Sequence, residues 1–199
     1  MSAERFYSED EARDADGKWT TGGGGEASTL TKPQAAALRN YQSSGYLDIN
    51  AVLRGSPEAK TLSENAKRIV KERVSALDAA IAAAPPLAEE AVVFRGLNLR
   101  AGFKPEVGAT FTDKAFVSTS LDRSAAEAFR DRGGARPTAL VEIHVPAGMR
   151  GLRVEGVSKR SNENMRKEKE ILLRRGSRFV VTSVATDPRG GYRLAVRAA

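Results

Sequence analysis

The apolar residues of this 199-residue chain change their spacing near its midpoint. Between Thr31 and Ala84 they recur every three or four residues, the spacing of one helix face. Ala36, Ala37, Leu38 and Tyr41 begin the pattern, with Thr31 placed to cap a helix and Pro33 in its first turn. "SSG" at Ser43–Gly45 breaks that helix, and Leu47, Ile49, Val52 and Leu53 resume it. Ile69, Val70, Val74, Leu77 and Ile81 define a longer amphipathic helix, which Pro85 and Pro86 stop.

From Ala91 the pattern becomes short apolar runs and period-two alternation, which are strand signals. "AVVFRGL", "TFTDKAFVSTSL", "TALVEIHVP" and "GYRLAVRA" read as extended segments, and "ILLRRGSRFVVTSVATD" as two strands around "RRGS". "SAAEAFRDR" reads as a short helix among them. Helices first, then strands, is an α+β order, with helices packed on a largely antiparallel sheet or sandwich.

Residues 1–27 fit neither pattern. They are charged, poor in apolar residues and end near four consecutive glycines, Gly22–Gly25, so they are expected to form a poorly ordered tail or linker. The remaining stretch, 28–199, is expected to be one domain. Residues 1–30 hold seven acidic and three basic residues, a balance of −4; the net charge of +7 therefore leaves +11 for the rest. A basic domain suits phosphorylated ligands, polyanions or acidic protein surfaces. Only 6% of residues are aromatic, and no RNA-binding aromatic motif is present, which argues against nucleic acid as the ligand.

Composition removes several chemistries. There is no cysteine, hence no disulfide, no thiolate metal site and no cysteine nucleophile. A single histidine, His144, excludes a multi-histidine metal site. It lies out of phase with Val141, Ile143 and Val145, so it reads as a strand residue turned from the core rather than a catalyst. No metal is expected. No apolar run is long enough to cross a bilayer as a helix, and the opening "MSAERFYSEDEARD" lacks a signal-peptide pattern. The expected site of action is a cytoplasm, to which the protein is either delivered, by a phage or toxin system, or in which it is made.

Three polar features interrupt the strands. Arg95 closes "VVFR" and offers a rigid fork for phosphate or carboxylate; the alternative is a solvent-exposed strand end. Ser118 and Ser120 share one strand face with Thr119 on the other, although Ser120 or Asp122 could equally cap the following helix. Glu168 and Glu170 sit two residues apart, which in a strand points both carboxylates to one face. Paired carboxylates can divide labour, one facing a developing cation and the other a second reactant. An exposed edge with alternating charge is the other reading.

Taken in order, Arg95, then Ser118-Thr119-Ser120, then Glu168-Lys169-Glu170 before "ILLRRGSRF" resembles the Arg-Ser-Glu class of mono-ADP-ribosyltransferases, which includes arginine-modifying bacterial toxins and phage proteins. "LRNYQSSGYLDINAVLRG" is similar to the helical entry of that family, and the resemblance spans about residues 29–197. It implies the ADP-ribosyltransferase fold, with helices on a mostly antiparallel two-sheet core. It implies nicotinamide adenine dinucleotide (NAD) as co-substrate and arginine side chains of a target protein as acceptors. By the same resemblance, Glu170 stabilises the ribosyl cation and holds the ribose hydroxyl, and Glu168 holds the acceptor guanidinium. Ser118 orients Glu170 or the ribose. Arg95, helped by Arg132, binds the pyrophosphate. Gly96 brings its backbone close to the nicotinamide carboxamide. Phe129 faces the nicotinamide ring, and Tyr41, Tyr46 and Asn50 line the dinucleotide site. Phe129, Tyr41 and Tyr46 could instead be core residues.

"RVEGVSKRSNENMRK", just before the glutamates, is polar and reads as a mobile loop. In the family this segment touches the protein substrate and often carries an aromatic residue; none lies between Arg153 and Glu170 here. Its bases, with Lys169, suit an acidic target surface. "EARDADGKWTTGGGG" resembles linker segments of tailed-phage structural proteins. The chain is expected to be a monomer, with an immunity or delivery partner compatible with a toxin. Three other readings remain at this point: an NAD glycohydrolase, an inactive phage module of the same fold, and a basic nucleic-acid binder.

Overall fold

The computed structural model describes residues 30–99, 102, 104–131, 138–154 and 169–199. The tail expected over 1–27, the loop over 155–168, Arg132 and Glu168 lie outside the described residues.

Helix α1 spans Lys32–Asn40, and the Gln34 amide oxygen accepts the Thr31 backbone N–H at 2.8 Å, closing its first turn. The expected break at "SSG" is milder than a stop. One π-turn covers Tyr41–Gly45, with Ser43 alone outside helical geometry, and α2 follows directly over Tyr46–Arg54. A Cβ on Gly45 would lie 1.9 Å from the Asn40 side-chain oxygen, so the Asn40 amide packs into the space that glycine leaves. A short α3, Pro57–Lys60, leads to α4, Glu64–Ala83, where the Ser63 hydroxyl accepts the Ala66 N–H. Val70, Val74, Leu77 and Ile81 form the buried face of α4, as their spacing predicts.

The strands are β1 Ala91–Asn98, β2 Thr110–Asp113, β3 Val117–Ser120, β4 Thr138–Val145, β5 Gly151–Arg153, β6 Glu170–Leu173, β7 Ser177–Thr186 and β8 Tyr192–Ala198, with helix α5, Arg123–Asp131, between β3 and β4. "TFTDKAFVSTSL" is thus two strands rather than one segment, and β5 is an addition that its three residues did not signal. Hydrogen bonding orders them β2-β7-β8-β4-β1-β3-β6-β5, antiparallel throughout except β4 with β8. β1 meets β3 through a single register pair, Phe94 opposite Ser120. The narrow join divides five strands from three, which matches the expected two-sheet core.

Side-chain parity then sets the layers. Val117, Ile171 and Leu173 turn to an inner core with Val93, Val141, Ile143 and Val196. Phe116 and Leu172 turn the other way, into a core with Leu38, Tyr41, Ile49 and Leu77 of the helices. The three-stranded half therefore lies between the N-terminal helices and the five-stranded half. Ser118, Ser120 and Glu170 share the parity of Phe116 and Leu172, so they face the helical side.

Candidate active site

β3 and β6 run antiparallel, with Ser120 opposite Glu170 and Ser118 opposite Leu172. Ser118 is Glu170's diagonal neighbour on the same face, within reach of a side-chain contact. The Ser118 hydroxyl donates a hydrogen bond to Glu170 Oε1. Ser120 does the capping work that the sequence allowed for: its hydroxyl accepts the Asp122 N–H at 2.8 Å, and Asp122 Oδ1 accepts the Ser124 N–H at 2.8 Å at the start of α5. Thr119 points away and donates to the Ile171 carbonyl at 2.7 Å, pinning the two strands together.

Three helical-entry residues arrive from the other side. Tyr41 is buried, donates its hydroxyl hydrogen to the Phe116 carbonyl at 3.4 Å and accepts from Asn50 Nδ2 at 3.3 Å. Its ring meets Phe116 and Tyr46 edge to face, with centroids 5.9 and 6.3 Å apart. Burial pushes the Tyr41 phenol above its ordinary pKa, while the Asn50 contact and the Arg95 charge oppose that shift. Glu170 raises it as well, so one phenol senses both charged groups of the site. Tyr41 is thus both core and site, whereas Tyr46, at 43% exposure, is not a core residue.

Arg95 shares the inner face of β1 with Val93, and its side chain is only 17% exposed. Burial lowers its pKa from the ordinary arginine value, and the Asp113 carboxylate pulls it back up. Arg95 Nη1 is buried and has no hydrogen-bond partner among the described residues. A guanidinium left in that state is poised for an oxygen anion. The solvent-exposed alternative for Arg95 does not hold.

Gly96 has a packing reason as well. A Cβ there would sit 2.3 Å from the Ala126 carbonyl and 2.5 Å from the Arg130 nitrogen, so the absent side chain admits helix α5 against β1. On α5, Phe129 is 49% exposed, which removes the core alternative for it.

β6 begins at Glu170, and Glu168, the other carboxylate of the expected pair, lies outside the described residues. Lys169, immediately before the strand, has φ +40°, a left-handed backbone. Its carbonyl accepts the Leu121 N–H at 3.2 Å, which ties this turn to the end of β3.

Two ionic clusters were not anticipated. Arg54, the last residue of α2, grips Asp113 at the end of β2 with two hydrogen bonds of 3.1 and 2.9 Å, and Arg95 Nη2 stands 3.9 Å from the same carboxylate. Behind α5, Arg130 and Asp187 form a buried pair at 2.8 Å, joined by Arg193 at 2.9 Å. The sequence signals neither, since the partners lie 59 and 57 residues apart without periodicity. His144 stands between Glu90 and Glu142 at 3.2 and 3.1 Å, away from this site. Among the described residues no group of three or more His, Cys, Asp or Glu side chains could hold a metal ion.

The arrangement sets a carboxylate oriented by a hydroxyl beside a buried, partly unsatisfied guanidinium, with aromatic rings around them. Such a site can hold an anionic group at one end and stabilise a developing cation at the other.

Comparison with known proteins points the same way. The model of the ADP-ribosyltransferase exoenzyme family matches residues 18–198. Mav of Mycobacterium avium, whose name assigns it NAD(+)–arginine ADP-ribosyltransferase activity provisionally, is 33% identical over 166 residues, covering 81% of this chain and 17% of Mav. The NAD(+)–arginine ADP-ribosyltransferase EFV of Enterococcus faecalis is 26% identical over 183 residues, covering 90% of this chain and 33% of EFV. The chain thus spans a third or less of these relatives. The structure of the ADP-ribosyltransferase Vis of Vibrio splendidus with agmatine superposes with a TM-score of 0.70 at 20% identity, over 87% of this chain and 77% of Vis.

Proposed function

The chain belongs to the ADP-ribosyltransferase exoenzyme family, and from that premise we propose that it cleaves NAD and transfers ADP-ribose to arginine side chains of a target protein. The observation that carries the reading is the Ser118–Glu170 hydrogen bond beside the buried Arg95 fork, whose Nη1 has no partner among the described residues. The names of two relatives and the agmatine in the Vis structure favour a guanidinium as acceptor.

In this reading Arg95 holds a pyrophosphate oxygen through its buried Nη1, and Arg132 assists. The glycosidic C–N bond breaks, nicotinamide leaves with the bonding electrons, and the ribosyl carbon becomes cationic. Glu170, aimed by Ser118, faces that cation and holds the ribose hydroxyl. Tyr41, Tyr46 and Asn50 shape the wall of the site, and Phe129 supplies an apolar face for the nicotinamide ring. The Gly96 backbone lies beside the carboxamide. Glu168 takes the proton that the attacking guanidinium nitrogen gives up as the new C–N bond forms. The enzyme acts in a cytoplasm as a toxin of phage-associated origin, and the bases of the segment before Glu170 suit an acidic target.

The test is nicotinamide release from NAD with and without agmatine. The proposal expects release that rises with agmatine, together with ADP-ribosyl-agmatine as product. Release indifferent to agmatine would instead identify a glycohydrolase with water as acceptor.

A further inference from the structure

Asp113 is held more firmly than its place at the end of a short edge strand requires. Its Oδ1 accepts Arg54 Nε at 3.1 Å and the Ala115 N–H at 3.0 Å, and its Oδ2 accepts Arg54 Nη2 at 2.9 Å. Its carbonyl accepts the Gly176 N–H at 2.8 Å. Helix α2 and the β2–β3 turn therefore fix the carboxylate, and the β6–β7 turn fixes the backbone that carries it.

That carboxylate stands 3.9 Å from Arg95 Nη2, near enough for charge attraction but beyond hydrogen-bond distance. The separation has a consequence for Arg95. A guanidinium with 17% of its side chain exposed needs a counter-charge to remain buried. A carboxylate free to close to about 2.8 Å would occupy the fork itself. Arg54 takes both Asp113 oxygens, so Asp113 steadies Arg95 at a distance while Arg95 Nη1 keeps its hydrogen-bonding capacity.

We infer that Asp113, clamped by Arg54, is a positioning residue that holds the Arg95 fork open for the dinucleotide phosphates. This rests on the proposed NAD-cleaving reading. Two effects of removing the charge oppose each other. Loss of a nearby negative charge would by itself strengthen anion binding. Loss of the counter-charge lets the Arg95 side chain leave its place, which weakens binding. Positioning is the stronger effect if the bidentate clamp matters, because a buried fork misplaced by about 1 Å loses its geometry for phosphate.

The experiment compares wild type, Asp113→Asn and Arg54→Lys in steady-state nicotinamide release, with thermal melting alongside. Arg54→Lys keeps the charge and removes the two-point grip, so it tests the clamp without altering the β2–β3 turn. The inference expects KM for NAD to rise about tenfold in Asp113→Asn and severalfold in Arg54→Lys, with kcat within about threefold of wild type. A lower KM in Asp113→Asn would overturn it, making the carboxylate a competitor of the phosphates. A lower melting temperature with unchanged KM in both variants would overturn it as well, leaving Asp113 a structural tie. Wild-type protein that releases no nicotinamide would overturn the NAD-cleaving reading itself. Wild-type turnover with insensitive variants would overturn this inference alone.

Discussion

Ser118 donates to Glu170 across the β3–β6 pair from a diagonal position, while Glu170's directly opposite residue, Ser120, is occupied at the start of α5. The two serines of one motif are thereby given different tasks by the register of the strands. A hydrogen bond to a charged carboxylate contributes on the order of 1.5–3 kcal/mol. Ser118→Ala is expected to lower kcat for nicotinamide release roughly 10- to 100-fold with little change in melting temperature. Ser120→Ala is expected to act on stability through the α5 start. Equal kinetic losses in the two variants would contradict the division.

Arg95 offers a planar fork with one buried nitrogen lacking a partner among the described residues. Lysine in its place keeps the charge but presents a single point donor. Arg95→Lys is expected to weaken NAD binding about 10-fold or more, read by calorimetry as a higher Kd. An unchanged Kd would remove Arg95 from the binding site.

Lys169 holds φ +40° immediately before β6 and Glu170. A left-handed backbone costs a non-glycine residue about 1–2 kcal/mol. Lys169→Gly is expected to leave the melting temperature unchanged or raise it by a few degrees, and Lys169→Val to lower it. If valine is tolerated as well as glycine, the left-handed conformation is not held in solution.

Asp187 accepts the Arg189 N–H at 2.9 Å and pairs with Arg193 and the buried Arg130. The backbone hydrogen bond first, and then the arginines, hold its carboxyl far below the usual carboxylate range. A depressed folded-state pKa contributes stability that is present above the unfolded pKa, about 4, and is lost as the pH falls below it. Asp187→Asn is expected to lower the melting temperature by roughly 5 °C or more at neutral pH, because it removes the buried one of the two carboxylates that Arg130 meets and leaves only the half-exposed Asp131. The gap between variant and wild type is expected to narrow from pH 4 to pH 3. A constant gap over that range would show that the pair does not account for the loss.

Much of the fold could be read from the spacing of apolar residues. Val70, Val74, Leu77 and Ile81 lie where a helix of period 3.6 buries them, and β4 alternates as its sequence does. The site was legible where its residues sit in strands, since Ser118 and Ser120 share a face by period alone. Where the chain leaves that period the reading stopped. Nothing in "EKE" announces a left-handed lysine, because lysine is not a turn-forming residue. The clamp of Arg54 on Asp113 and the pair of Arg130 with Asp187 depend on how distant segments meet. Local pattern carries no record of that. Gly96 shows the remaining difficulty, since its missing side chain suggests only a ligand in the sequence, and the structure adds a packing reason, the close approach of helix α5.

The central claim is that Glu170, aimed by Ser118 beside Arg95, breaks the bond between nicotinamide and ribose. Nicotinamide release by wild type and by Glu170→Gln, both checked for cooperative melting, tests it most directly. Glutamine keeps the size of the side chain and removes the charge that faces the cation. The account predicts release by wild type and a loss of at least about 100-fold in the variant at a similar melting temperature. Full-rate release by Glu170→Gln would contradict it.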